Sequence, residues 1–179
     1  MIRELIQKNK LAIRFLVVFV GFYLIGNTLY GFYVDYYFPT SDPFTKNLAN
    51  TITFVLQWFD PTIANYPSSV AEYIALANDQ ENMIYIYEGC NGINVMIVYI
   101  SFLLAFSGPK GLFWKFLLLG LLSIYLMNLI RVGLLFGVAY YFEEQLYFFH
   151  KYLFTGIIYV VVFALWYLWV KKVKRSESA

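Results

Sequence analysis

Cys90 is the only cysteine of this chain and His150 the only histidine. Cys90 sits in Glu88-Gly89-Cys90-Asn91-Gly92-Ile93, just before a long apolar run, and Arg131 and His150 lie at comparable points in two later runs. A thiol, an imidazole and a guanidinium can together perform acyl transfer. The thiolate attacks a carbonyl, the imidazole carries a proton, and the guanidinium, too basic to act as a base, holds developing negative charge. Such groups are costly to keep near lipid, which marks them as candidates for chemistry. Each also has an ordinary reading. A lone Cys is commonly inert packing, a lone interfacial His a satisfied polar residue, and an Arg near a helix end a snorkelling anchor. Jointly these readings weaken, because Arg131 stands among Leu129, Ile130 and Val132 and belongs to no basic cluster.

The elements that must position the three residues are membrane helices. Of 179 residues, 61% are hydrophobic and only 13% charged, where soluble domains carry about 25% charged. The net charge of +2 and the absence of a basic stripe outside the termini argue against a nucleic-acid partner. A single Cys forms no internal disulfide. Arg3, Lys8, Lys10 and Arg14 precede the apolar stretch from Phe15 to about Phe32. That stretch is longer than a signal-peptide core and no small-residue cleavage site follows it, so it reads as an uncleaved signal anchor.

Four apolar runs, Leu11–Val34, Ile93–Phe106, Leu112–Phe142 and Tyr152–Val170, are candidates to cross the hydrocarbon core of roughly 30 Å. The second reaches a spanning length only if it starts near Cys90, and the third is too long for one simple span. Gly133 and Gly137 are places where it could bend. The expectation is one all-α integral membrane domain over 1–179, a polytopic transmembrane helical bundle. Its spans run over about 11–34, 90–107, 112–132 with an outward extension to 142, and 151–170. Ten of the 13 Lys and Arg fall at the two termini and in the 107–115 turn, whereas Asp35, Asp42, Asp60, Glu72, Asp79, Glu81, Glu88, Glu143 and Glu144 fall on the other side. This predicts cytoplasmic termini, and places Arg131 on the side that basic residues disfavour.

The 35–89 segment then faces outward. Phe44, Leu48, Ile52, Val55, Leu56 and Phe59 recur at helical spacing and predict an amphipathic helix on the outer interface. Ser69-x-x-Glu72 fits a capping box and predicts a short helix at about 70–77. Met83–Tyr87 is apolar and rich in aromatic and branched residues, either extended or a first turn entering the membrane. Glu88 reads as an ordinary solvated loop acid, with substrate binding or tuning of Cys90 as the other reading.

Spacing brings the three reactive groups to one level. Cys90 and Arg131 lie about 17 and 19 residues above the 107–111 turn, and His150 about 20 above Val170. At 1.5 Å per residue all three stand roughly 25–30 Å from the inner face, on three different helices.

These contexts resemble the exosortase/archaeosortase family of membrane-embedded cysteine transpeptidases. That family is marked by a Cys-x-Gly element, then Asn-x-x-Arg, then a His opening a late transmembrane helix. The corresponding residues are Cys90-Asn91-Gly92, Asn128-Leu129-Ile130-Arg131, and Phe149-His150 with Gly156 downstream. The likeness covers roughly 80–160. The chain is shorter than the larger members and is similar to the compact subtype often called exosortase F.

The resemblance implies Cys90, Arg131 and His150 as catalytic residues, supported by Asn128 and Gly92. Cys90 stands just before a helix start, with Asn91 as a cap, and a helix N-terminus favours negative charge. The implied substrate is an exported protein with a C-terminal sorting signal: a short motif, one apolar helix and a basic tail. An amine or other acceptor, or water, resolves the thioester. The implied place is the bacterial inner membrane with the site at its extracytoplasmic face, amid membrane lipid. No cofactor is expected, and one His and one Cys without clustered acids fall short of a metal's ligand set. A transporter would need broken helices or midplane charges that the sequence lacks. The rival reading is a non-catalytic membrane subunit or scaffold of an envelope complex, suited by 17 Tyr and 18 Phe.

Overall fold

In lipid every backbone polar group must be satisfied within its own segment, so long apolar runs fold as helices. The computed structural model describes residues 9–79 and 82–177; Arg3, Lys8 and Glu81, counted above with their segments, lie outside the described residues. Five helices carry the architecture: α1 (Lys10–Tyr37), α2 (Pro43–Leu56), α3 (Ile93–Ala105), α4 (Lys110–Tyr141) and α5 (Phe154–Glu177). By length and composition α1, α4 and the helical stretch containing α5 can each cross a membrane, while α3 is a shorter apolar helix. The protein is an all-α membrane helical bundle, with one small sheet set between α2 and α3. The sheet comprises β1 (Ala64–Pro67), β2 (Tyr73–Ala77) and β3 (Asn82–Tyr87), antiparallel and in the order β1-β2-β3.

The helix after Cys90 does not begin at Cys90. Glu88–Cys90 forms a single 3-10 turn, and Gly92 adopts φ +87°, a left-handed conformation that glycine takes without steric cost. Only at Ile93 does α3 start. Its 13 residues reach about 20 Å, short of the hydrocarbon thickness. By the same measure the 32 residues of α4 reach about 48 Å, well beyond it.

Two apolar cores explain these lengths. In one, Tyr99 and Leu103 of α3, Ile124 of α4, and Val162, Trp169 and Val173 of α5 pack together. Gly120 of α4 makes this possible, since a Cβ there would lie 2.2 Å from the Tyr99 ring. In the other, Leu48, Ala49 and Ile52 of α2, Ile63, and Ile74, Leu76 and Ile86 of the sheet cover Val132 and Phe136 of α4. One face of the C-terminal half of α4 is therefore covered by protein, while Ile130, Leu134, Tyr140 and Tyr141 stay exposed.

The helix expected at 70–77 is overturned. Ser68, rather than Ser69, closes the turn, its Oγ accepting from the N–H of Val70 (3.2 Å) and Ala71 (3.1 Å). Tyr73–Ala77 is a strand because Met83–Tyr87, left open between two readings, is extended and pairs with it. Ile74, Leu76 and Ile86 are buried toward α2 and α4. The rings of Tyr85 and Tyr87 both meet that of Tyr73, with centroids 5.0 Å and 5.9 Å away. The expected amphipathic helix is α2. Asp42 caps it, Oδ1 accepting from the N–H of Phe44 (2.8 Å) and Thr45 (3.1 Å), with Pro43 in its first turn. Its buried face is Thr45, Leu48, Ala49, Ile52 and Thr53; of the expected stripe Leu48 and Ile52 are buried and Phe44 and Leu56 half-buried, whereas Val55 is exposed and Phe59 lies exposed beyond the helix end.

Candidate active site

Three separate elements deliver the three reactive groups. The 3-10 turn between β3 and α3 carries Cys90. α4 carries Asn128 and Arg131 one turn apart, on one face by helical periodicity. A π-turn, Phe149–Leu153, carries His150 just before α5. They meet at a single atom. His150 Nε2 lies 3.7 Å from Cys90 Sγ and 3.2 Å from Arg131 Nη2.

A guanidinium only donates hydrogen bonds. As a hydrogen bond, this contact requires Nε2 to accept, which only a neutral imidazole with its proton on Nδ1 can do. The same lone pair is the one that could take the thiol proton. Arg131 and Cys90 thus share one acceptor.

Asn128 ties two of the three elements together. It is fully buried; its Nδ2 donates to the Cys90 carbonyl (2.8 Å) and its Oδ1 accepts a longer bond from Arg131 Nη1 (3.5 Å). Gly92 leaves room for it, since a Cβ at Gly92 would come 3.2 Å from Asn128 Cγ. Arg131 is half-buried, and its Nε is buried without a partner.

A second network holds the cysteine turn from the opposite side. Asn91 is fully buried. Its Nδ2 donates to Tyr30 Oη of α1 (2.8 Å) and Thr45 Oγ1 of α2 (2.9 Å), and its Oδ1 accepts from the Ile93 N–H (2.9 Å). Asn91 thus serves the first N–H of α3 as expected, although the capping position itself is Gly92. Tyr30 donates onward to the Glu88 carbonyl (3.1 Å), and Thr45 donates to Asp42 Oδ2. Sequence reasoning did not find Tyr30, Thr45 or Asp42 as supports of this turn. No local signal joins Thr45 to Asn91, 46 positions away.

Glu88 is not a solvated loop acid. It is buried, its Oε1 has no partner, and burial pushes its carboxyl above the usual range, with the charges of Glu72 and Asp42 adding to the effect.

Beside the trio is a cavity of about 340 Å³ lined by Ile84, Tyr85, Ile86 and Tyr87 of β3, by Val132 and Leu135 of α4, and by Leu146, Tyr147, Cys90 and His150. A larger cavity of about 630 Å³ opens between α1, α3 and α5 around Phe15, Phe102 and Phe106. Arg14 is its one charged lining residue and no nucleophilic thiol reaches it, so it is not where this chemistry would occur.

A protein-family model described as transmembrane exosortase matches residues 9–170. No curated protein matches the chain, and no solved structure does.

Proposed function

This chain belongs to the transmembrane exosortase family, and from that premise we propose that it is a membrane-embedded cysteine transpeptidase that cuts the C-terminal sorting signal of exported proteins through a thioester on Cys90. The observation that carries the reading is the meeting of Cys90 Sγ and Arg131 Nη2 on one nitrogen of His150.

The proposed steps follow from that shared lone pair. While Arg131 donates to Nε2, the thiol keeps its proton. An entering substrate presents a carbonyl oxygen, a stronger attraction for the guanidinium as negative charge develops on it. Arg131 swings to that oxygen, Nε2 is released, and it takes the Cys90 proton. The thiolate attacks the carbonyl carbon, forming the C–S bond. Collapse breaks the C–N bond, and His150 returns its proton to the leaving amine. A thioester remains. An acceptor amine, or water, then attacks the carbonyl with His150 again taking the proton, and the thiol is restored. One such donor to an oxyanion contributes roughly 3–4 kcal/mol to barrier lowering. The buried Asn128 fixes both the Cys90 carbonyl and the guanidinium, so it is a positioning residue.

The proposed setting is the bacterial inner membrane, with both termini cytoplasmic and the trio at the extracytoplasmic rim. The charge asymmetry of the segments supports that orientation. A site at that depth suits a substrate cut beside its own transmembrane helix.

The test is a secreted reporter ending in the motif, apolar helix and basic tail of an exported protein from the same genome. Wild type is expected to shorten it. Cys90→Ala is expected to abolish shortening while accumulating in membranes at the wild-type level. Unchanged processing by Cys90→Ala removes the enzymatic reading and leaves the scaffold. Mass spectrometry of the new C-terminus separates attachment to an acceptor from hydrolysis.

A further inference from the structure

We infer that the extended segment of the substrate around its cleavage point binds as a fourth strand along the open edge of β3, parallel to it, hydrogen-bonded to the main chain of Tyr85 and Tyr87. This rests on the reading that Cys90 attacks a polypeptide.

Successive side chains of a strand point to opposite faces. Yet Ile84, Tyr85, Ile86 and Tyr87 all line the one cavity that also contains Cys90 and His150. A cavity that meets four successive residues runs along the strand's edge, past its backbone. β3 is the outer strand of the order β1-β2-β3, so that edge has no strand partner.

The ladder shows which groups face it. The Ser68 N–H donates to the Tyr73 carbonyl (3.0 Å), while the Tyr73 N–H turns back to the Ala71 carbonyl (2.9 Å), so the Tyr73 carbonyl and, two residues on, the main-chain groups of Ala75 face β1. Pro67, which has no N–H, sits opposite Ile74, where none is required. Ile74 and Leu76 must then direct theirs toward β3. Their partners there are Ile86 and Ile84, whose N–H and C=O are used within the sheet. Those of Tyr85 and Tyr87 point outward, into the cavity. Among the described residues no other main-chain segment bonds to that edge.

Unpaired main-chain groups beside Val132, Leu135 and Leu146 are unfavourably placed. An extended peptide satisfies them, and main-chain bonds set its register while alternate side chains enter the apolar walls. The occupant is the chain being cut because the same cavity contains the thiol. Its direction follows from connectivity. β3 runs toward Cys90 and the chain continues into α3. A substrate whose exported part precedes the cleavage point, and whose apolar helix follows it, runs the same way.

The experiment uses membranes carrying the full chain and the secreted reporter. Tyr85→Val loses the ring but keeps the N–H; Tyr85→Pro loses both, and an outward-facing edge N–H is one a folded sheet can spare. Cleavage by Tyr85→Pro is expected to be about tenfold below that by Tyr85→Val, with Cys90 alkylated by N-ethylmaleimide at the same rate in both. Equal cleavage overturns strand addition. Independently, single cysteines are placed along the reporter and paired with Tyr85→Cys or Tyr87→Cys in a Cys90→Ala background. Disulfides are expected at every second reporter position, the later positions joining Tyr87→Cys. Disulfides at consecutive positions, in reversed order, or at none overturn the inference. If cleavage still depends on Cys90 in that case, strand addition alone falls. If no reporter shows Cys90-dependent cleavage, both readings fall.

Discussion

The two halves of the bundle use polar atoms differently. In the core formed by α3, α4 and α5, polar groups end locally: Tyr99 Oη donates to the Phe116 carbonyl (2.8 Å) and Trp169 Nε1 to the Phe106 carbonyl (3.0 Å). Each satisfies one buried ring and reaches no further. Around Cys90, buried polar groups are chained. Asn91 joins α1, α2 and the start of α3, and Asn128 joins the cysteine turn to Arg131. The first half is built for packing, where a change costs stability. The second is built for position, where on the proposed mechanism a change is expected to cost processing before stability.

Three substitutions break or sharpen that contrast. The largest effect is expected from Arg131→Lys, which keeps the charge and loses the planar fork. Reporter processing should fall by about 10²–10³-fold with membrane accumulation unchanged; wild-type processing would mean that Arg131 acts only as a point charge. Next is Gly120→Ala, which drives a methyl group into the Tyr99 ring. Overpacking of this kind costs about 1–3 kcal/mol, read as a lower melting temperature in detergent. The surviving folded fraction should process reporter at the wild-type rate per molecule, and a reduced rate there would show that the two halves are coupled.

The smallest effect concerns Glu88. Its carboxyl is raised by burial from an ordinary value of 4.5. Between that value and the raised one the folded state holds the proton more tightly than the unfolded state does. The contribution of Glu88 to stability is therefore fully present below about pH 4.5 and is lost as pH rises through the folded-state value. A melting series across this window should slope downward for wild type and flatten in Glu88→Gln. A slope that persists in Glu88→Gln would assign it to another group.

The long helices were legible because uninterrupted apolar runs leave the backbone no alternative in lipid. The level of Cys90, Arg131 and His150 was legible because helix rise converts residue counts into depth. The strand at Tyr73–Ala77 was not. Alanine and leucine there suit a helix, and only pairing with Met83–Tyr87 decides otherwise. The run from Ile93 was legible, but the span drawn from about 90 begins three residues ahead of the helix. Cys90 and Asn91 look like a helix entrance, and it is the left-handed Gly92, held against Asn128, that delays the helix to Ile93. The Asn91 linkage to Tyr30 and Thr45 joins residues 61 and 46 positions apart, beyond any local signal.

The π-turn at Phe149–Leu153 has a geometric consequence. In an unbroken α-helix each residue turns the next by about 100°, so the heading of His150 would be locked to the buried stripe of Val162, Trp169 and Val173 further along. A widened turn takes up one extra residue and breaks that phase relation. The imidazole's compass bearing is thereby offset from the one the buried stripe alone would give it, and it is this offset bearing that meets the sulfur.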